Sequence, residues 1–302
     1  MNKLSPIVLG LSLAVAGSAM AAAQESSSQP ASMPKVLQIT REYVKPYRGG
    51  AAHDRTENAF VRAMMRAKFP THYIALDSLS GKARALYLTW YDSFEAWGRD
   101  NETVETNKAL AAELERASIA DGELLDSVDS EVLTYDENMS YNPNGDLSHA
   151  RYIEASVYHI RIGYGEEWRE AVKRIIEAHK QGGSSAHWAT FHQAFGGEGG
   201  TYVMFTAYKS MAELDHSESN YMRAHDSMGE EDFKKTQKLF GEAVDSTHRE
   251  LFAINPRQSY APEEWINADP EFWKPRPAAA PAAMSAAAPA AKPATEEKKV
   301  HP

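Results

Sequence analysis

The 302-residue chain has no cysteine. That excludes disulfides, thiol nucleophiles, cysteine-ligated zinc and c-type haem attachment, so the fold must be held by its core. Clustered positive charge is missing too. Lys and Arg number 32 against 42 Asp and Glu, a formal charge of −10. Phosphate binding needs grouped basic side chains, so no nucleic-acid partner is expected. Beyond the first 23 residues no run approaches the roughly 20 apolar residues of a membrane span, and no stable span is expected after them. Common catalytic signatures are absent as well: there is no HExxH, no P-loop and no GxSxG. The stretch GGSSAHW (182–188) has adjacent serines and no closing glycine, and GGEGG (196–200) lies between two strands, where it reads as a hairpin turn.

The ends of the chain read as accessories to a folded middle. Met1-Asn2-Lys3 is a short positive start, Pro6 to Val15 is apolar, and Ala21-Ala22-Ala23 fits a cleavage site. Residues 1–23 are therefore predicted to be a signal peptide and the protein to be exported, periplasmic or extracellular, with 24–33 as a linker. From Pro275 to Pro302 the chain is Pro/Ala-rich without apolar periodicity, the composition of a disordered, extended spacer.

What the middle does contain is an internal repeat. DSVDSEVLTYDENMSYNP (126–143) matches DSTHRELFAINPRQSYAP (245–262) in Asp, Ser, Glu and a closing Ser-Tyr-x-Pro. The match runs on upstream. His72 meets His187, Thr89 meets Thr206 and Tyr91 meets Tyr208, while Tyr43 falls opposite Tyr158 and Gly50 opposite Gly165 without a gap. The extra residues between these blocks fall in turns, where insertions belong. Two copies follow, at 34–143 and 151–262, with 263–274 as a capping segment built on Trp265 and Trp273.

Each copy has the same order of elements. A β-branched and aromatic segment opens it, KVLQITREYV or RYIEASVYHIRI. A helix follows, marked by Phe60, Val61, Met64 and Met65 or by Trp168, Val172, Ile175, Ile176 and His179 at helical spacing. Two strands joined by a Gly-bearing turn come next, then one further helical region, and a last strand, Glu131–Tyr135 or Glu250–Ile254. The order is β-α-β-β-α-β, the ferredoxin-like unit, and the fold class is α+β.

Two such units fused in tandem resemble the dimeric α/β-barrel superfamily, as an intramolecular pseudo-dimer. That superfamily includes antibiotic-biosynthesis-type monooxygenases, NIPSNAP-like proteins and haem enzymes of the chlorite dismutase type. The resemblance rests on element order and the repeat. It carries no catalytic motif and transfers no residue role. It implies a monomeric pseudo-dimer or weak oligomer, because fusion makes a further dimer unnecessary for closing the barrel.

On the third strand of each copy, Leu86, Leu88 and Trp90 alternate with Tyr87, Thr89 and Tyr91, and Val203, Phe205 and Ala207 alternate with Tyr202, Met204, Thr206 and Tyr208. The first sets are expected to face the helices. The Tyr/Thr sets are expected to line a space between the units, making Tyr87, Thr89, Tyr91, Thr206 and Tyr208 ligand-binding candidates together with the repeated pair His72 and His187. Where the copies differ, one half can specialise: His159, His192 and His225 are the catalytic candidates, since neutral imidazole can act as a base or ligate haem iron. No metal site is read from spacing, and His187 and His192, five apart on a strand, face opposite ways. The expected function is binding of a small apolar or aromatic molecule between the units. The alternatives are a monooxygenase-like oxidoreductase, cofactor-free or haem-dependent, and an envelope interaction module.

Overall fold

The structure is a computed structural model that describes residues 33–143 and 146–274. The expected signal peptide, most of the expected linker and the Pro/Ala tail lie outside the described residues. The first half runs β1 (Val36–Val44), α1 (Ala51–Ala67), β2 (Tyr73–Ser78), β3 (Ala85–Tyr91), α2 (Phe94–Thr106), α3 (Lys108–Gly122) and β4 (Leu125–Tyr141). The second runs β5 (Tyr152–Ile160), α4 (Gly165–Gln181), β6 (Trp188–Phe195), β7 (Thr201–Tyr208), α5 (Met211–Leu214), α6 (Ser217–Met228), α7 (Glu230–Ala243) and β8 (Val244–Tyr260). Two short helices, α8 (Glu263–Ala268) and α9 (Pro270–Trp273), follow.

The eight strands close into one antiparallel barrel in the order β1-β3-β2-β8-β5-β7-β6-β4. Closure is the work of the repeated stretch. β4 and β8 are 17 residues each, far longer than the segments 131–135 and 250–254 read from sequence. One end of β4 pairs with β1 and the other with β6, and β8 likewise pairs with β5 and then β2. Sequence reading shortened these strands because much of Asp126–Ser130 and Asp136–Asn138 is polar and exposed. Backbone ladders hold those residues without any apolar alternation to mark them. Ser-Tyr ends each strand, and Pro143 and Pro262 follow where no ladder donor is needed.

The ladder registers also correct the alignment of the first strands. Leu37 pairs with Leu133 as Ile153 pairs with Phe252, which sets Glu42, and not Tyr43, opposite Tyr158. The first copy carries one extra residue between β1 and α1. The further helical region is split in both copies. Asn107 separates α2 from α3 and caps the latter, its Oδ1 accepting from Leu110 N at 3.1 Å. Gly229, at φ 74°, separates α6 from α7.

The barrel interior is solid. Leu37, Ile39, Leu76, Leu88, Leu133, Phe191, Val203, Phe252 and Ile254 belong to one buried cluster that spans both halves. This reverses the expected facing: the Leu/Val/Phe sets of β3 and β7 point into the barrel and the Tyr/Thr sets point at the helices. An eight-stranded barrel is just wide enough for its side chains to fill, and here apolar side chains from both halves fill it. Trp265 stacks on Trp90 at 5.5 Å between ring centroids, and Trp273 is buried within the barrel cluster, its Nε1–H donating to Ser148 O at 2.7 Å. Among the described residues no helix is long and apolar enough to cross a membrane.

The GGEGG turn joins β6 to β7, with Gly196 at φ 85° and Gly200 at φ 80°. A Cβ on Gly196 would collide with the carbonyl oxygen of Ser130 in the neighbouring strand. Gly196→Ala should therefore cost about 1–3 kcal/mol, read as a lower urea midpoint with an unchanged denaturant slope.

Candidate functional site

With the barrel filled, the space that can take a ligand lies between each sheet and its helices. In the second half that space is a cavity of about 940 Å³ between the sheet and α4, α6 and α7, far larger than the surface groove of about 390 Å³ where α9 meets the end of β8. The larger value lies near the top of the usual range of small-molecule sites, about 300–1,000 Å³. Its walls follow from the alternation of the strands. Glu154, Ser156 and Tyr158 of β5 and Met204, Thr206 and Tyr208 of β7 project from the helix-facing side of the sheet. Across from them stand Trp168, Val172, Ile175 and His179, the apolar stripe of α4, with Phe240 from α7. Tyr221, on α6, is exposed at the rim.

Aromatic rings make up much of the wall. Trp168 is fully buried and stands 5.1 Å from Tyr158, 5.6 Å from Tyr202 and 5.7 Å from Phe240 between ring centroids. Its Nε1–H has no acceptor among the described residues. The polar side of the cavity is built around Glu154. Arg249 donates to both its carboxylate oxygens, at 2.8 and 2.9 Å, and Ser156 and Tyr208 add hydroxyl donors at 2.9 and 3.2 Å. Burial works to raise the Glu154 pKa, but the Arg249 hydrogen bonds and charge outweigh it, and the carboxyl is held below its ordinary value. Four carboxylates line the cavity (Asp146, Glu154, Glu213 and Glu218) against two cations, Lys209 and Arg249. With neutral histidines the walls are net negative, which disfavours anionic ligands.

His179 sits between Tyr141 and Trp188, with ring centroids 5.7 and 5.3 Å away, and its Nδ1 lies 2.9 Å from Ser184 Oγ. Burial lowers its pKa. The folded protein therefore keeps this ring neutral at a pH where the unfolded chain, near 6.5, already binds the proton. Stability should rise with pH as the solution passes upward through the window below about 6.5 and level off above it. His179→Gln should flatten that rise, measured as the urea midpoint from pH 5 to 8.

The sequence candidates divide cleanly. Thr206, Tyr208 and His187 line this cavity, and His187 Nε2 lies 2.7 Å from Ala207 O. Tyr87 and Tyr91 lie on the helix-facing side of the first half, where the Tyr87 hydroxyl reaches Gln258 Oε1 at 3.2 Å and Tyr91 packs on Trp97. Thr89 shares their face in the ladder with β1. His72 Nδ1 is 3.1 Å from Tyr260 O, a contact across the barrel seam. The three catalytic candidates do not converge. His159 bonds Thr201, His192 bonds Thr134, and His225 packs on Phe233 beside Asp226. None of them lines the cavity. Sequence reading missed Glu154, Arg249 and Tyr158 as wall residues. Trp168 stood out only as part of a helical stripe, and its aromatic neighbours come from three separate elements.

Haem would need an uncommitted imidazole and cations for its two carboxylates. His179 leaves Nε2 without a partner among the described residues, but Arg249 is engaged with Glu154 and Lys209 with Asp146, at 3.2 Å. The lining does not fit haem.

No family model matches the chain, and no curated protein matches it. Solved structures do. A provisionally assigned monooxygenase from Fusobacterium nucleatum subsp. nucleatum superposes with a TM-score of 0.50 at 12% identity, covering 73% of this chain and 92% of that one. Another from Lactobacillus acidophilus gives 0.46 at 8% identity, covering 73% and 94%. Chlorite dismutase from Candidatus Nitrospira defluvii in complex with imidazole gives 0.43 at 9% identity, covering 78% and 95%. The first of these likenesses shows the fold: the dimeric α/β barrel, here with both units in one polypeptide.

Proposed function

We propose that this pseudo-dimeric barrel binds a small, neutral or cationic aromatic molecule in the helix-side cavity of its second half. The observation that carries the reading is the cavity itself: about 940 Å³ walled by Trp168, Trp188, Tyr158, Tyr208 and Phe240, with an excess of carboxylates at its edges. Aromatic faces favour flat apolar ligands, and they attract cations as well. The Trp168 indole N–H is buried with no acceptor among the described residues, a donor that an acceptor on the ligand could satisfy. The ligand sits on the helix side of the sheet and not between the two units. The leader-like residues 1–23 support placing this binding protein outside the cytoplasm.

The test uses Trp168 and Trp188 as internal reporters. The neutral probe N-phenyl-1-naphthylamine, its cationic analogues and haemin are titrated against the purified protein while tryptophan emission is followed. Saturable one-to-one quenching by the neutral and cationic probes is expected, with no Soret shift from haemin. Met204→Trp, which fills the cavity from β7, should abolish the quenching. Binding that survives Met204→Trp, or no binding by any probe, would end this assignment.

A further inference from the structure

The corresponding place in the first half is occupied by buried side chains of another kind. Four side chains converge there: Glu42 from β1, His53 and Glu57 one turn apart on α1, and Asp121 near the end of α3. One ligating atom of each lies within 4.8 Å of all the others. His53 Nε2 is 3.1 Å from Glu42 Oε2 and 3.6 Å from Asp121 Oδ1. His53 is 2% exposed, Glu57 3% and Asp121 2%. Glu57 Oε1 is enclosed and has no hydrogen-bond partner among the described residues.

From this geometry we propose that Glu42, His53, Glu57 and Asp121 form a binding site for a divalent first-row transition-metal ion. The site lies in the other half from the ligand cavity and does not depend on it. Three carboxylates and one imidazole make a mainly oxygen donor set of the kind that holds Mn²⁺, Fe²⁺ or Zn²⁺. Donors on opposite sides of such an ion, each about 2.1 Å from it, stand about 4.2 Å apart. The set, within 4.8 Å throughout, is compact enough to close onto one ion by side-chain adjustment. Enclosing three carboxylates against one imidazole is costly unless positive charge joins them. Burial first, and then the charges of Glu42 and Asp121, push the Glu57 carboxyl well above its ordinary value, a sign of how poorly the cluster's negative charge is compensated.

Two features separate this set from ordinary core packing. The matching positions in the second half are Tyr158, Trp168, Val172 and Phe240, so the fold fills the same place with apolar side chains and does not need polar ones. The first half also supplies an outer ring of support. The Thr56 hydroxyl donates to Asp121 Oδ1 at 2.5 Å, and Gln258 Nε2 lies 3.4 Å from His53 Nδ1, the nitrogen turned away from Glu42. Such outer contacts orient metal-ligating side chains. Sequence reading assigned no metal site, because no short motif links positions 42, 53, 57 and 121.

The chain is stripped with chelator, desalted and loaded with Mn²⁺ or Zn²⁺, with Mg²⁺ and Ca²⁺ as comparators. Metal content after a second desalting and the melting temperature are read together. The wild type should keep about one Mn²⁺ or Zn²⁺ per chain, with Tm raised by about 5 °C or more at saturating metal. Glu57→Gln preserves size and should fold, but should lose about tenfold or more in affinity. His225→Ala, which removes a half-buried imidazole on α6 outside the cluster, should bind as the wild type does. No retained ion and no Tm rise in the wild type would overturn the site, as would equal retention by Glu57→Gln.

Discussion

Phe252→Ala should be among the most damaging single changes in the chain, lowering stability by about 3–5 kcal/mol. Phe252 is fully buried in the barrel cluster. It also stands at the joint of β8, pairing with Ile153 of the second half and with Ser78 of the first. Truncation would leave a cavity at the seam with little freedom to collapse, because ladders fix the backbone on both sides. For a domain of this size each kcal/mol moves Tm by about 2–4 °C, so a fall on the order of 10 °C is expected. Leu133, the matching joint of β4, pairs with Leu37 and Gln193 and should show a similar loss on truncation to Ala. Because each long strand belongs to both ladders, the halves should unfold together. Tryptophan emission and far-ultraviolet circular dichroism should give coincident transitions in the wild type. Two separated transitions would contradict the role given to these strands.

Trp168→Ala should be nearly as costly, about 3–5 kcal/mol, and should also abolish probe binding in the second-half cavity. The ring is fully buried and holds Tyr158, Tyr202 and Phe240 in place. Its loss would therefore collapse or enlarge the wall that a flat ligand meets. Trp168→Phe separates the two effects. It keeps an aromatic ring and should lose far less stability, but it removes the indole N–H that has no acceptor among the described residues. If that N–H meets the ligand, Trp168→Phe should weaken acceptor-bearing probes more than pure hydrocarbons, read as a change in the ratio of their Kd values. An unchanged ratio would assign Trp168 a packing role alone.

The repeat, the order of elements and the alternation along β3 and β7 were legible in the sequence, because they depend on local spacing. Period two says that Leu86 and Leu88 share a face opposite Tyr87 and Thr89; it does not say which face turns inward. That choice belongs to barrel closure, which seals one side from water and leaves the other reaching solvent between the helices. Closure itself rests on backbone pairing along polar residues such as Asp136 to Asn138, which leave no apolar signature. The two candidate sites were hidden for a related reason. Glu42, His53, Glu57 and Asp121 come from three elements, and so do Tyr158, Trp168 and Phe240. By itself the sequence determined a doubled α+β unit with a net negative charge and no cysteine. Only the tertiary structure decided that one half stores buried carboxylates and a histidine where the other opens an aromatic cavity, because distances across a sheet and its helices are set by packing and not by separation along the chain.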